Sequence, residues 1–234
     1  MSANAEVLHN SGLVGSRVQE AARPQVVVSE SNDWNPADFA RQQIRGLVQR
    51  VFLANGSVPL RQVVFSAVGQ QQDVGGLCDQ VGEALALETH ADVAIVSREH
   101  SSAQTVKASQ HTTAGAIKTR STRLTSNLWR VPGFDPRDCG EASGTAAYWL
   151  FCLAELREEF EYSVIQGPEA GVSNEAALLG QLTDGIILLL GAHSTRKAIA
   201  RNVKQSLEGA QSRILGTVLR ERRFPVPERI YRRL

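Results

Sequence analysis

The chain of 234 residues carries 25 Lys plus Arg against 24 Asp plus Glu, with 42% apolar and 6% aromatic residues. A chain of this length buries roughly 70–75% of its unfolded surface and needs neither disulfides nor a metal to hold a core, and a net charge of +1 argues against wrapping nucleic acid with the whole surface. The longest aliphatic run, Ile186 to Leu190, falls far short of the ~20 residues of a membrane span, the first residues lack a basic start followed by an apolar stretch, and Cys78, Cys139 and Cys152 form no C-x-x-C pair; a cytoplasmic chain is expected.

Residues 1–33 mix Ser, Asn, Glu and Val without a sustained helical period and are expected to form a disordered tail, with Val26-Val27-Val28 able to add an edge strand. From Pro36 onward Ile44, Leu47, Val48, Val51 and Phe52 recur at helical spacing, and Asn55-Gly56 ends that helix. Gln62 to Ser66 reads as a strand, Leu77, Val81, Ala84 and Leu85 as a helix face, and Val93 to Val96 as the parallel strand that closes a β-α-β unit. Residues 100–126, rich in Ser, Thr and Gln, read as a long loop.

Leu128 to Val131 is predicted as a strand stopped by Pro132-Gly133. Thr145 to Phe160 is predicted as a helix with Trp149, Leu150, Leu153 and Phe160 on one side. Ser163 to Gln166, Gly185 to Leu190 and Arg213 to Leu219 are further strands. Thr195 to Gly209 is a helix capped by Ser194 or Thr195, with Ile199, Val203 and Leu207 inside. Continuous apolar strands separated by helices predict a single three-layer α/β/α domain over residues 34–220 with a mainly parallel sheet, followed by a basic segment over 221–234.

In such a fold ligands sit at the carboxyl ends of the strands, often on the loop after the first one. A phosphate loop has the form G-x-x-x-x-G-K-[ST], whose lysine neutralises phosphate charge and whose hydroxyl binds magnesium. Gly69 stands one position after its first glycine, and Gln70, Gln71 and Gln72 follow. Asp73 stands at the second glycine, Val74 at the lysine, Gly75 at the hydroxyl, and Gly76 comes next. Valine offers no charge and glycine no metal ligand. At a helix start the Asp73 carboxylate can cap the N–H groups that would otherwise hold phosphate, and a phosphate within ~4 Å of it meets about 1–4 kcal/mol of repulsion. Taken alone, the loop suits a plain helix cap flanked by turn glycines better than a filled phosphate site.

From about Pro36 to Leu234 the chain resembles the cytoplasmic bacterial tyrosine autokinases of capsule and exopolysaccharide synthesis, a branch of the MinD/ParA-like P-loop ATPases. The resemblance is carried by Leu128-Trp129-Arg130-Val131-Pro132, Glu161-Tyr162-Ser163-Val164-Ile165, the run Leu182 to Leu190, Ile214-Leu215-Gly216-Thr217-Val218-Leu219 and the run Arg222 to Leu234. It implies a P-loop NTPase-like fold with ATP and magnesium as the family's cofactors. Where the family has two aspartates after the second strand, this chain has Ser97 and Glu99; where it has a metal-orienting aspartate after the long helix, Gln166; and where it has an adenine-side asparagine, Arg220. Losing lysine, hydroxyl and metal carboxylate together removes the charges on which phosphoryl transfer depends. The resemblance therefore implies a pseudoenzyme with no catalytic residues and no bound cofactor, working beside a membrane co-polymerase that regulates chain length or an active kinase relative, peripheral to the inner membrane through that partner. A second copy of the chain is a further candidate partner.

One alternative is an enzyme that still binds ATP and magnesium through a rearranged loop, with Glu99 as metal ligand. Another is a ParA-like positioning or nucleic-acid-associated module, although nucleic acid is not the expected partner. Residues 220–234 hold six arginines and two glutamates, a local charge of +4 that leaves −3 for the rest. Arg222, Arg223, Arg229, Arg232 and Arg233 are candidate contacts to an acidic partner or an anionic membrane surface, and equally a solvated end of the chain. The family's tyrosine run is reduced to Tyr231 as candidate phosphoacceptor. The five histidines show no ligand spacing, so no metal site is expected.

Overall fold

The computed structural model describes residues 35–54, 59–69, 72–98, 116–134 and 145–221. Val26-Val27-Val28, Asn55-Gly56, Gln70, Gln71, Glu99, Cys139, Tyr231 and the arginines from Arg222 onward lie outside the described residues. In chain order the elements are α1 (Pro36–Val51), β1 (Gln62–Ala67), α2 (Val74–Thr89), β2 (Val93–Val96), α3 (Ala116–Arg120), β3 (Thr122–Arg123), β4 (Leu128–Val131), α4 (Thr145–Glu159), β5 (Tyr162–Gln166), α5 (Asn174–Leu182), β6 (Gly185–Gly191), α6 (Lys197–Gly209) and β7 (Ile214–Arg220).

The strands form one sheet in the order β3-β4-β2-β5-β1-β6-β7. Every pairing is parallel except the short β3 against β4. Alternate side chains of β1 and β2 feed two cores, as a sheet covered on both faces requires. Val63, Phe65 and Ile95 meet Val48 of α1, Phe52 just after it, and Leu77, Val81 and Leu85 of α2. On the other face Val64, Ala94 and Ile165 meet Trp149, Leu153 and Leu156 of α4, Leu179 of α5 and Val203 of α6. The β-α-β unit read from Gln62 to Val96 is present, with β5 inserted between its two strands: Val64 pairs with Ile165, and Ile165 in turn with Val96.

Asp184 ties the lower edge of the sheet together. Its Oδ2 accepts the Arg61 and Gln62 N–H groups at 2.6 and 2.7 Å, and its Oδ1 accepts from Arg157 of α4 at 2.9 Å. The next residue, Gly185, has φ +150°, and a Cβ there would collide with the Arg213 carbonyl, so only glycine fits this start of β6.

Four sequence expectations are corrected. The long loop over 100–126 contains α3 and β3: Ile117 anchors it in the core, and Glu159 accepts the Ile117 and Lys118 N–H groups at 3.0 and 2.8 Å, capping a helix whose own sequence has no amphipathic period. Between β5 and β6, where no element is expected from the sequence, the chain forms α5. Its signals are Ser173, whose side chain accepts the Glu175 N–H, and the apolar residues Ala176 and Leu179. Leu150 of α4 is 52% exposed and Ile199 of α6 is 46% exposed, both on the outer sides of their helices. Finally, α6 is capped by Arg196 without a side-chain bond; Thr195 instead accepts the Gly191 N–H at 2.9 Å and closes the β6 turn.

Among the described residues no helix is long and apolar enough to cross a membrane.

Candidate functional site

A cleft of about 440 Å³ opens at the carboxyl ends of β1, β2 and β5, lined among others by Gly69, Gln72, Asp73, Ser97, Arg98 and Gln166. This is where the fold rule places a ligand. The parallel order sets the geometry: β5 lies between β1 and β2, so Gln166 faces the loop after β1 from one side and the loop after β2 from the other.

The loop leads into α2, and Asp73 is its N-cap. Asp73 Oδ1 accepts the Gly76 N–H at 2.8 Å, one of the donors that a phosphate at a helix N-terminus uses. Gly76 is part of the same arrangement, because a Cβ there would overlap the Asp73 carboxylate. The lysine position, Val74, is 8% exposed and packs in the core with Leu77 and Cys78. At Gly75 a Cβ would stand 3.5 Å from Gln166 Oε1 in ordinary contact, so that position is open to the cleft yet carries no hydroxyl.

Two contacts fasten the loop from across the sheet. Arg220, at the end of β7, donates from Nη1 to the Asp73 carbonyl at 2.5 Å. Gln72 donates from Nε2 to Ser194 Oγ after β6 at 3.3 Å. At the other wall Gln166 Oε1 accepts the Arg98 N–H at 3.1 Å, linking β5 to the turn after β2. Ser97 lies in that turn, its N–H given to the Val131 carbonyl at 3.0 Å. Ser66 is spent structurally as well, its hydroxyl donating to the Pro168 carbonyl.

The structure thus brings together Gly69, Gln72 to Gly76, Ser97, Gln166 and Arg220. It also adds groups that the sequence did not single out. Arg130 of β4 reaches Asp79 of α2 at 2.7 Å, and both line the cleft with Glu169. That pairing joins residues 51 apart in sequence, and no local spacing announces it. Cys78 lies at the floor, fully buried; burial, reinforced by the Asp79 and Asp73 carboxylates, pushes its thiol far above the ordinary range. Among the described residues no three His, Cys, Asp or Glu side chains group to hold a metal ion.

These residues do not fit a magnesium-bound nucleoside triphosphate. The lysine position is in the core, the Gly76 N–H in the first turn of α2 is taken by a carboxylate, and neither Ser97 nor Gln166 offers the negative charge that orients a metal.

No protein-family model matches the chain, and no curated protein matches it in sequence. Solved structures do match. The kinase domain of VpsO aligns at 17% identity with a TM-score of 0.57, covering 80% of this chain and 98% of that domain. The kinase domain of the Escherichia coli tyrosine kinase ETK aligns at 13% identity with a TM-score of 0.57, covering 80% and 79%. The MinD cell division protein of Aquifex aeolicus aligns at 13% identity with a TM-score of 0.51, covering 68% of each. The chain therefore has the P-loop NTPase fold, shared with bacterial tyrosine kinase domains and with MinD, as the sequence resemblance implied.

Proposed function

We propose that this protein is a pseudoenzyme of the tyrosine autokinase fold, a non-catalytic regulatory or scaffold subunit in exopolysaccharide or capsule synthesis. The observation that carries the reading is the Asp73 carboxylate on the Gly76 N–H: one of the first-turn donors that would receive a phosphate is already taken by the chain's own anion. Arg220 on the Asp73 carbonyl and Gln166 on the Arg98 N–H support it by holding the two walls in place without a ligand. In a kinase-shaped body of this kind, function lies in occupancy. The surface assembles with a membrane co-polymerase or an active kinase, and no ATP cycle drives it on or off. The basic segment that follows Arg220 offers that partner positive charge.

The test has two parts. Purified protein incubated with γ-labelled ATP and magnesium is expected to release no phosphate above the buffer rate and to label none of Tyr148, Tyr162 or Tyr231. Expressed with the cytoplasmic part of a polysaccharide co-polymerase, it is expected to co-purify whether or not nucleotide is present. Autophosphorylation, or co-purification that requires ATP, would contradict the proposal.

A further inference from the structure

The charge of the chain is divided along its length. Residues 185–234 hold eleven Lys and Arg against three Glu, a net +8, which leaves −7 on residues 1–184. Helix α6 holds much of the described part of this charge, in places where its own stability gains nothing. Arg196 is its N-cap without a side-chain bond, Lys197 opens the first turn, and that turn has no acidic residue. The partial positive charge of a helix start favours acids and opposes cations, and a Ser, Thr, Asn or Asp at the N-cap would satisfy a free N–H. Among the described residues Arg196, Lys197 and Arg201 pair with no carboxylate. A choice that costs local stability points to a use outside the fold.

The first turn of α6 also stands clear of the body: Arg196, Lys197, Ala198 and Ile199 are all exposed, and full burial begins at Val203. Two further apolar side chains stand at the same end of the sheet. Val172, 72% exposed, lies between β5 and α5, where a Cβ on neighbouring Gly171 would meet Val203 Cγ2 at 3.5 Å. Leu219, 54% exposed, is the next-to-last residue of β7, in register with Leu190 of β6. Because β5, β1, β6 and β7 are neighbours in the sheet, their carboxyl ends lie within about 15 Å. The acids at this end are engaged elsewhere: Asp73 and Glu169 line the cleft, Glu175 accepts from Trp149, and Glu221 is followed by Arg222 and Arg223.

Cations set among aliphatic side chains suit an anionic lipid surface, where apolar tips enter the headgroup layer and long basic side chains reach the phosphates. Nucleic acid is met by cations among amide, hydroxyl and aromatic groups, which Val172, Ile199 and Leu219 do not supply. An added acidic strand would need the edge of β7, which shifts register after Ile214 and is flanked by Arg213 and Arg220, the devices that keep an edge unpaired. We propose that this rim, built by the first turn of α6 with Val172 and Leu219, docks directly on an anionic lipid surface. The contact goes beyond the proposed scaffold role, since it requires neither nucleotide nor a protein partner, and its failure would leave the proposed loss of catalysis untouched.

The experiment is co-sedimentation of the full chain with vesicles of phosphatidylcholine containing about 30% phosphatidylglycerol, beside vesicles of phosphatidylcholine alone. The wild type is expected to sediment with the anionic vesicles, to stay in solution with the neutral ones, and to be released as salt rises to about 0.5 M. Arg196→Ser/Lys197→Glu supplies the cap and the acidic first turn that α6 lacks, so its melting temperature is expected to equal or exceed that of the wild type. Its partition onto anionic vesicles is expected to fall at least about tenfold. Ile199→Gln/Leu219→Gln, with folding checked by circular dichroism, is expected to bind at least about threefold more weakly. A wild type that ignores anionic vesicles, or binds neutral ones as well, would overturn the proposal. So would Arg196→Ser/Lys197→Glu binding as before, which would leave the contact to the segment after Arg220. Release from the vesicles by DNA or polyglutamate at equal charge would overturn it too, making the partner a macromolecular anion.

Discussion

The carboxylate of Asp73 and the missing side chain of Gly76 are two halves of one arrangement: the carboxylate sits where a Cβ on Gly76 would be, and it takes that residue's N–H at 2.8 Å. A side chain at position 76 therefore requires the Asp73 carboxylate to swing off the Gly76 N–H, so the two positions are coupled.

Gly76→Ser in the wild type is expected to lower stability by about 0.5–2 kcal/mol, because the Asp73 carboxylate must leave the Gly76 N–H and the helix cap is lost. The same change on an Asp73→Gly background is expected to cost much less. Denaturant melts of the four proteins give the coupling as a double-mutant cycle, and additive effects would contradict the shared space.

Asp73→Ala is expected to destabilise by about 0.5–2 kcal/mol as a lost helix cap, and Asp73→Asn by only a few tenths, since Asn caps about equally well. Thermal melts of both variants decide this. Equal losses would assign the effect to the charge and not to the hydrogen bond.

Arg220→Ala removes a guanidinium donor from the Asp73 carbonyl, a contact that spans 147 residues of sequence. A stability loss of about 0.5–1.5 kcal/mol is expected, with faster amide hydrogen exchange in residues 72–76 and little change in α5. Unchanged exchange at the loop would show that Arg220 does not fasten it.

The Cys78 thiol, raised by burial first and then by the Asp79 and Asp73 carboxylates, stays protonated in the folded chain well into the alkaline range. Its folded pKa lies above the unfolded one, so its stabilising contribution is complete below the unfolded pKa of ~8.5 and declines as pH rises past it, by up to about 1.4 kcal/mol per pH unit. Urea melts at pH 7 and pH 10 are expected to show a drop for the wild type that is smaller for Cys78→Ala. The native thiol should also resist iodoacetamide at pH 8 and react once unfolded.

Much of this architecture is legible in the sequence because its cause is local. The β-branched run Gln62 to Ser66 and the aliphatic run from Gly185 to Leu190 are strands in the structure with little change of bounds. The faces of α4 and α6 were harder: Leu150 is offset by one position from Trp149 and points the other way, and Ile199 sits at a helical spacing from Val203 yet beyond the edge of the core. Helix α5 is not legible in the sequence because its nine residues include a single short apolar period. At the site, the identity of each replaced residue could be read in register. What held them could not: the Arg220 contact and the Arg130–Asp79 pair depend on strand order, which no local pattern states.

The most direct measurement of the central claim is a calorimetric titration of the full chain with ATP and magnesium, run beside Asp73→Gly/Val74→Lys/Gly75→Ser/Gly76→Thr. The account predicts no saturable heat for the wild type up to millimolar nucleotide, since the Asp73 carboxylate already holds the helix end and no lysine answers the phosphates. Micromolar binding by the wild type, dependent on magnesium, would contradict it.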